Sequence, residues 1–234
     1  MKLVSYYQTN TNIGDMLQTI TLKNFIESKY PLIKIDGYCN RQNLEENMII
    51  NGWHRNKTET LPHHKVIYVG IHTDYNMIKD IKINTLFGCR DVFTMKEVLK
   101  YKDKYKAIFS GCSTITIPEY NGNRIGKKEY LHSDNKESLT LDEQIKKIDE
   151  LIDDLKTKEL VITDRLHIAI PCIALGTPVI LNPRKFQKER YTIFDYFPEF
   201  PGFGKVITKE CGLRDNMLKT FENAFETIFE NLLI

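Results

Sequence analysis

The segment "VITDRLHIAIPCIALGTPVI", residues 161–180, joins a strand, a helix and a second strand within a short stretch of chain. Its β-branched start belongs to "ELVITD" (159–164), which is typical of a buried strand. "RLHIAIPCIALG" (165–176) predicts a helix that ends at Gly176, and "TPVIL" (177–181) predicts the next strand. Strands that alternate with helices form parallel βαβ units. The segment therefore predicts an α/β fold.

Three polar residues, Asp164, Arg165 and His167, interrupt this apolar run. Ionised side chains are rarely buried unless they are paired or used in function. We predict that all three lie at the mouth of the segment, where the strand turns into the helix, and that only "IAIPCIALG" (168–176) is buried. The structural alternative is a helix cap at Asp164, an ion pair between Asp164 and Arg165, and a hydrogen-bonded histidine in the core.

The alternation of strands and helices extends along the rest of the chain. The runs that predict further strands are "KLVSYY" (2–7), "IKIDGY" (33–38), "NMIINGW" (47–53), "KVIYVGI" (65–71), "NTLFGCRD" (84–91) and "KAIFSGC" (106–112). Apolar residues at helical spacing predict helices over 15–30, 92–103, 138–158 and 216–234.

A polar stretch divides this pattern into two parts. Residues 117–140 contain Gly and Asn and lack periodicity, which indicates a loop or domain junction. We predict Rossmann-like parallel sheets on either side of it. The N-terminal Rossmann-like domain covers residues 1–116, and a shortened C-terminal α/β part covers residues 141–234.

Composition narrows the class of protein. The 234 residues carry a formal net charge of only +2, so no strong field indicates a nucleic-acid partner. No apolar run is long enough to predict an integral membrane segment. The five cysteines form no CxxC or CxxH pair, which favours reduced thiols in a cytoplasmic protein and predicts no metal site. The oligomeric state stays open, and a homo-oligomer is one of the options.

Four polar clusters follow predicted strands, where ligands bind in doubly wound sheets. They are Asn12, Gly14 and Asp15; Gly88, Arg90 and Asp91; Ser110, Gly111, Cys112, Ser113 and Thr114; and Asp164, Arg165 and His167. Two arginines and a helix N-terminus suit a phosphate or carboxylate, and a histidine beside them suits a general acid. The simpler alternatives are an N-cap at Asp15, a local Arg90–Asp91 ion pair and a plain turn at 110–114.

Four motifs carry a resemblance to a known family. They are "NIGDMLQTITLKNFI" (12–26), "FGCRDVFT" (87–94), "FSGCSTITI" (109–117) and "VITDRLHIAIPCIALGTPVI" (161–180). Their order resembles that of the polysaccharide pyruvyl transferase family, and "NGWH" (51–54) resembles a short branch of it. The resemblance implies a fold similar to GT-B glycosyltransferases. The short distance between the last two motifs implies a shortened second domain.

The resemblance also implies a reaction and a role for each site residue. Family members move an enolpyruvyl unit from phosphoenolpyruvate to a sugar or glycan, which then forms a cyclic pyruvate ketal while phosphate leaves. By that resemblance, Asp15 is the base for the sugar hydroxyl, and His167 is the acid that protonates the methylene carbon. Arg90 and Arg165 hold the phosphate and carboxylate of the donor. The residues expected to line the substrate site are Asn12, Gly14, Ser110, Gly111, Cys112 and Ser113. No cofactor is implied beyond phosphoenolpyruvate as donor substrate.

Two other functions remain open from the sequence. One is a GT-B-like glycosyltransferase that uses a nucleotide sugar, which needs an acidic residue placed for ribose contacts in the second domain. The other is a non-catalytic relative that binds a sugar or an anion. The acceptor sugar and the ketal stereochemistry are also open.

Overall fold

The computed structural model describes residues 4–6, 13–33, 35, 38–39, 48–54, 66–73, 85–103, 105–126, 129–131, 139–184 and 187–233. The first sheet has six strands: β1 (Val4–Tyr6), β2 (Tyr38–Cys39), β3 (Met48–His54), β4 (Ile67–Thr73), β5 (Thr85–Cys89) and β6 (Tyr105–Phe109). They pair in the order β2-β1-β3-β4-β5-β6, and every pair is parallel. The strand order reverses between β1 and β3, which is where doubly wound sheets open a ligand crevice.

The second sheet has four strands: β7 (Glu129–Leu131), β8 (Val161–Thr163), β9 (Val179–Leu181) and β10 (Val206–Ile207). Strands β7, β8 and β9 are parallel, and β10 closes the edge antiparallel to β9. The βαβ unit predicted from residues 161–180 is confirmed. Strand β7 lies inside the segment 117–140 that we predicted to be a loop or junction, so part of that segment joins the sheet. The division into domains stays a prediction.

Five α-helices accompany the strands within the described ranges: α1 (Ile13–Lys29), α2 (Val92–Leu99), α3 (Leu141–Thr157), α4 (Leu166–Leu175) and α5 (Leu213–Leu233). Local sequence explains several of their ends. Asp91 caps α2 by accepting a hydrogen bond from Thr94 N, and Thr140 and Glu143 form a capping box on α3. Gly176 adopts φ 72° after the last turn of α4, a conformation that favours glycine. The α/β class predicted from sequence is confirmed.

Helix α5 packs on the first sheet although it follows the second sheet in the chain. A Cβ added to Gly88 in β5 would lie 2.7 Å from Ile228 Cδ1 of α5 and 2.8 Å from Tyr68 O of β4, so the lack of a side chain leaves room for both the helix and the neighbouring strand. Phe221 and Phe225 of α5 pack edge-on against Phe25 of α1, with ring centroids 5.4 and 5.3 Å apart. One hydrophobic core runs through both sheets, and it includes Ile49, Val69, Val161, Val179 and Phe225.

A 3-10 segment, Lys188–Tyr196, connects the two halves of the crevice. Phe93 N, in the first turn of α2, donates to Thr192 Oγ1 at 3.0 Å. Tyr191 donates its hydroxyl to Asp164 O, after β8, at 2.5 Å. These two bonds hold the segment, which includes Arg190, across the carboxyl ends of strands from both sheets.

Candidate active site

The predicted clusters after β1, β5, β6 and β8 meet in the structure. A Cβ on Gly14 would lie 3.0 Å from His167 Cβ, so the missing side chain leaves room for the imidazole. Gln18 joins three of the clusters. Its Nε2 donates to Asp15 Oδ1 at 3.3 Å, and its Oε1 lies 3.5 Å from both Arg90 Nη1 and Cys112 Sγ. Asn12 lies outside the described residues.

His167 is a buried imidazole with open hydrogen-bonding capacity. His167 is only 7% exposed, and neither of its ring nitrogens has a hydrogen-bond partner within the described ranges. Burial, followed by the positive charges of Arg190 and Arg90, holds its pKa well below 6.5. The neutral imidazole is therefore the form present near neutral pH before any anion binds.

Three expectations about residues 164–167 are wrong. We predicted that burial begins only at residue 168, yet Asp164 and His167 are both buried. The alternative of a hydrogen-bonded core histidine is also wrong for His167, since its ring nitrogens lack partners among the described residues. Asp164 does not cap α4, because Arg165 occupies the N-cap position. The expected ion pair exists, with Arg165 Nε 3.8 Å from Asp164 Oδ1, and Arg184 Nε binds Asp164 Oδ2 at 2.5 Å.

Arg90 is a guanidinium with no exposed surface. Its Nη1 reaches Gln18 Oε1, and its Nε lies 3.4 Å from Asp91 Oδ2. Nε and Nη2 lack hydrogen-bond partners in the part of the chain that the structure describes. A buried charge with unmet donors is costly unless a ligand supplies acceptors. The expected Arg90–Asp91 ion pair is confirmed, and it leaves this donor capacity open.

Asp91 is anchored by a neighbouring histidine that sequence reasoning missed. His72 Nδ1 lies 2.6 Å from Asp91 Oδ2, and both residues are buried. Burial alone raises the pKa of Asp91, but its hydrogen bond from His72 and the charge of Arg90 outweigh this and lower it. Burial and then Arg90 lower the pKa of His72. We assign a neutral His72 that donates Nδ1–H to the Asp91 carboxylate.

Arg190 is a third arginine of the site and was also missed. It is half-buried on the 3-10 segment. Burial, then the charge of Arg90, lowers its pKa to about 10, while Asp15 acts in the opposite sense. Arg190 is therefore close enough to Arg90 and Asp15 to interact with both electrostatically. No hydrophobic periodicity in "RKFQKERY" (184–191) predicts which of its cations faces inward.

The loop after β6 serves mainly to hold the site together. Ser110 Oγ accepts from Gly70 N at 3.0 Å and lies 3.2 Å from Cys89 O, which it reaches as a donor. Ser113 Oγ donates to Gln18 O at 2.8 Å. Gly111 adopts φ 70°, which favours glycine. The Cys112 thiol faces the Gln18 amide, so a role for this loop in substrate binding stays a prediction.

The arrangement suits a small, highly charged anion. The charges of three arginines, Arg90, Arg165 and Arg190, act on the neutral buried imidazole of His167, and Gln18 links the Asp15 carboxylate to Arg90. Guanidinium groups bind carboxylates and phosphates in bidentate geometry, and a bound anion favours protonation of an adjacent imidazole. Among the described residues, no group of three or more His, Cys, Asp or Glu side chains is placed to hold a metal ion.

The sequence also matches a known protein family. The profile of the family "Polysaccharide pyruvyl transferase" matches residues 12–181. The chain belongs to the polysaccharide pyruvyl transferase family. The matched range contains the βαβ unit of residues 161–180 and the clusters that meet around Gln18. Arg190 lies beyond it.

A solved structure resembles this member of the pyruvyl transferase family in fold. A crystal structure of an uncharacterized protein from Klebsiella pneumoniae is similar, with a TM-score of 0.56, 18% identity and coverage of 86% of this chain and 90% of that chain. At this identity the likeness concerns the fold alone. No curated protein matches the sequence significantly. No described helix is both long and apolar enough to cross a bilayer.

Arg190 provides a first test of the anion site in this family member. Arg190→Met keeps the apolar stem and removes the charge, so we expect affinity for inorganic phosphate to fall about tenfold, as for the loss of a hydrogen bond from a charged group. Isothermal titration calorimetry measures the change. Lys188→Met, at an exposed position of the same 3-10 segment, is the matched control and should bind like the wild type. Equal affinity in both variants contradicts a role for Arg190.

Proposed function

We propose that this protein transfers a pyruvyl unit from phosphoenolpyruvate to a sugar or glycan and closes it into a ketal. Membership of the family supports a role in pyruvyl transfer for polysaccharide synthesis. The observation that carries the proposal is the fully buried Arg90, whose Nε and Nη2 are open among the described residues, near His167, whose ring nitrogens also lack hydrogen-bond partners there. An anion that also needs a proton is the ligand this pair suits best.

Donor binding is the task we assign to the arginines. Phosphoenolpyruvate carries a phosphate ester and a planar carboxylate on the same carbon, so it needs cations on more than one side. Burial and the charge of Arg90 lower the pKa of Arg190, and Arg190 and Arg165 are both half-buried. Like charges brought together in this way disfavour the empty site and favour the one that holds the anion.

Proton delivery is the task we assign to His167. Bound phosphoenolpyruvate offsets the arginine charges that lower the pKa of His167, so the imidazole takes up a proton as the donor binds. Nε2 or Nδ1 then delivers that proton to the methylene carbon, which becomes a methyl group and leaves the central carbon electrophilic. The rate should therefore fall as pH rises through the pKa of the liganded histidine.

Proton removal from the acceptor is the task we assign to Asp15. Its carboxylate lies in the first turn of α1, near the arginines yet supplied with a hydrogen bond from Gln18. A first sugar hydroxyl loses its proton to Asp15 and attacks the central carbon. A second hydroxyl then displaces phosphate. Overall, of the two hydroxyl protons, one is balanced by the new methyl C–H bond and the other leaves with the phosphate.

The remaining parts of the proposal concern the cleft, the cellular location and the oligomeric state. We propose a GT-B-like cleft between the two sheets, with the acceptor entering over the shortened second sheet. A cytoplasmic location fits the free buried thiols of Cys89, Cys112 and Cys172. A homo-oligomer is compatible with this arrangement.

The experiment that tests the proposal measures two products of one incubation. Protein, phosphoenolpyruvate and a panel of sugars and glycan fragments should release inorganic phosphate and give a new methyl signal in the proton NMR spectrum. Melting curves with each ligand run in parallel, and phosphoenolpyruvate should stabilise by about 2.7 kcal/mol at a hundredfold excess over Kd. Stabilisation by UDP-sugars and not by phosphoenolpyruvate favours a glycosyltransferase. Binding of the anion with no turnover for any acceptor favours a non-catalytic relative.

A further inference from the structure

Gln18 lies in the second turn of α1 and is only 1% exposed. Both ends of its side-chain amide meet residues of the site. On one side, Nε2 donates to Asp15 Oδ1 at 3.3 Å and to Gly14 O at 3.4 Å. On the other, Oε1 lies 3.5 Å from Arg90 Nη1 and 3.5 Å from Cys112 Sγ. One uncharged side chain therefore links the carboxylate of the site to its most deeply buried cation.

The partners permit one orientation of this amide. Arg90 is a donor only, and burial raises the pKa of Cys112, so its thiol also stays protonated and donates. Both donors require the oxygen of Gln18 on their side. The Asp15 carboxylate and the Gly14 carbonyl accept only, so they require the NH₂ group. If the amide were flipped, its NH₂ group would face two donors and its oxygen would face two acceptors.

We infer that Gln18 is a positioning residue that holds the Asp15 carboxylate and the Arg90 guanidinium at a fixed separation and orientation. Because it is neutral, it hydrogen-bonds to both groups and leaves both charges in place. A charged residue here would pair with one of them and repel the other. The inference deepens the proposed function, and its kinetic part rests on that function.

Two substitutions of nearly the same length remove different parts of this link. Gln18→Met removes donor and acceptor, so Arg90 loses its oxygen partner and Asp15 loses a donor. Gln18→Glu keeps an acceptor for Arg90 but adds a charge, which neutralises Arg90 and faces Asp15. We expect affinity for inorganic phosphate to fall about threefold to tenfold in Gln18→Met and about tenfold or more in Gln18→Glu.

The pH profile of turnover supplies the readout that a purely structural role would not move. If Asp15 is the base, the acid limb of the kcat profile rises through its pKa. A like charge beside a carboxylate raises that pKa, so in Gln18→Glu the limb should move to higher pH, by about one unit. In Gln18→Met it should move in the same direction by less, because only a hydrogen bond to the charged form is lost.

Gln144 offers a matched control. It is another buried glutamine, located in α3, and its Nε2 donates to Leu139 O at 3.0 Å, outside the site. Gln144→Met and Gln144→Glu should change the melting temperature without changing phosphate affinity or the pH profile. Melting curves of all four variants identify any that fails to fold.

The outcomes separate this inference from the proposed function. Phosphate binding is measured by calorimetry and needs no turnover. If the wild type binds phosphate but transfers no pyruvyl group, the proposed function fails, and the affinities still test Gln18. If folded Gln18→Met and Gln18→Glu bind phosphate as tightly as the Gln144 variants, the positioning role is overturned. An unmoved acid limb in an active Gln18→Glu enzyme overturns the link to Asp15.

Discussion

Replacing His167 with alanine is expected to lower turnover by about 10²-fold to 10⁴-fold, the usual contribution of a general acid. Affinity for phosphoenolpyruvate should change by less than about tenfold, because the arginines supply most of the attraction. The physical reason lies in the environment of the ring. His167 is buried beside Arg90 and Arg190 with no partner in the described part of the chain, so an incoming anion controls its protonation. Steady-state kinetics with phosphate detection measures kcat and the KM for phosphoenolpyruvate.

The stability of the same variant separates catalysis from packing. A neutral imidazole buried without partners contributes little to folding, so His167→Ala should lose little beyond its packing. His167→Gln is the companion variant, since an amide fills the space and donates a hydrogen bond but transfers no proton. It should bind donor and remain as slow as His167→Ala. A destabilised His167→Ala protein whose folded fraction turns over at the normal rate would remove the histidine from the mechanism.

Replacing Arg90 with methionine is expected to weaken binding of phosphoenolpyruvate and inorganic phosphate by about 10²-fold, as for the truncation of one partner of a buried charge pair. Removing one partner of a buried ion pair usually costs about 3–5 kcal/mol, because the other charge stays buried. We expect a smaller loss in the free energy of unfolding for Arg90→Met, because Asp91 keeps its bonds from His72 and from Thr94 N. Loss of binding in a protein that still folds is the signature of a residue kept for its ligand.

Arg214 provides the contrasting control for that measurement. Its guanidinium is half-buried, and its Nε donates to Ala174 O at the end of α4 at 2.8 Å. Arg214→Met should therefore lower the melting temperature and leave anion affinity unchanged. An Arg90→Met protein that is strongly destabilised yet still binds phosphate would assign Arg90 to the fold and contradict the site.

Local patterns predicted the scaffold of the site well. The βαβ unit over residues 161–180 follows from alternating strand and helix signals with Gly176 as a stop, and those signals depend on neighbours in sequence. The meeting of Gly14, Arg90, Cys112 and His167 was also expected, since parallel strands bring their carboxyl ends to one edge. The functional roles of these residues stay predictions.

The residues that sequence analysis missed are positioned by contacts distant along the chain. From sequence alone, Gln18 is an ordinary polar residue of an amphipathic helix, and His72 is a residue within a strand. Only the fold brings Arg90 to Gln18 and Asp91 to His72. Arg190 lies in a 3-10 segment without periodic apolar residues, held by Thr192 and Tyr191. The burial of His167 was underestimated because the 3-10 segment that carries Arg190 was not foreseen.

The return of helix α5 to the first sheet affects how this chain reaches its native state. Strands β4 and β5 leave the ribosome well before the helix that contributes Ile228 to the face of Gly88. Their apolar surface must await a partner encoded far downstream, and contacts of such long sequence separation slow folding. The core that runs through both sheets closes only when that helix docks. We therefore expect the two sheets to be stabilised together once that helix docks, and not one after the other.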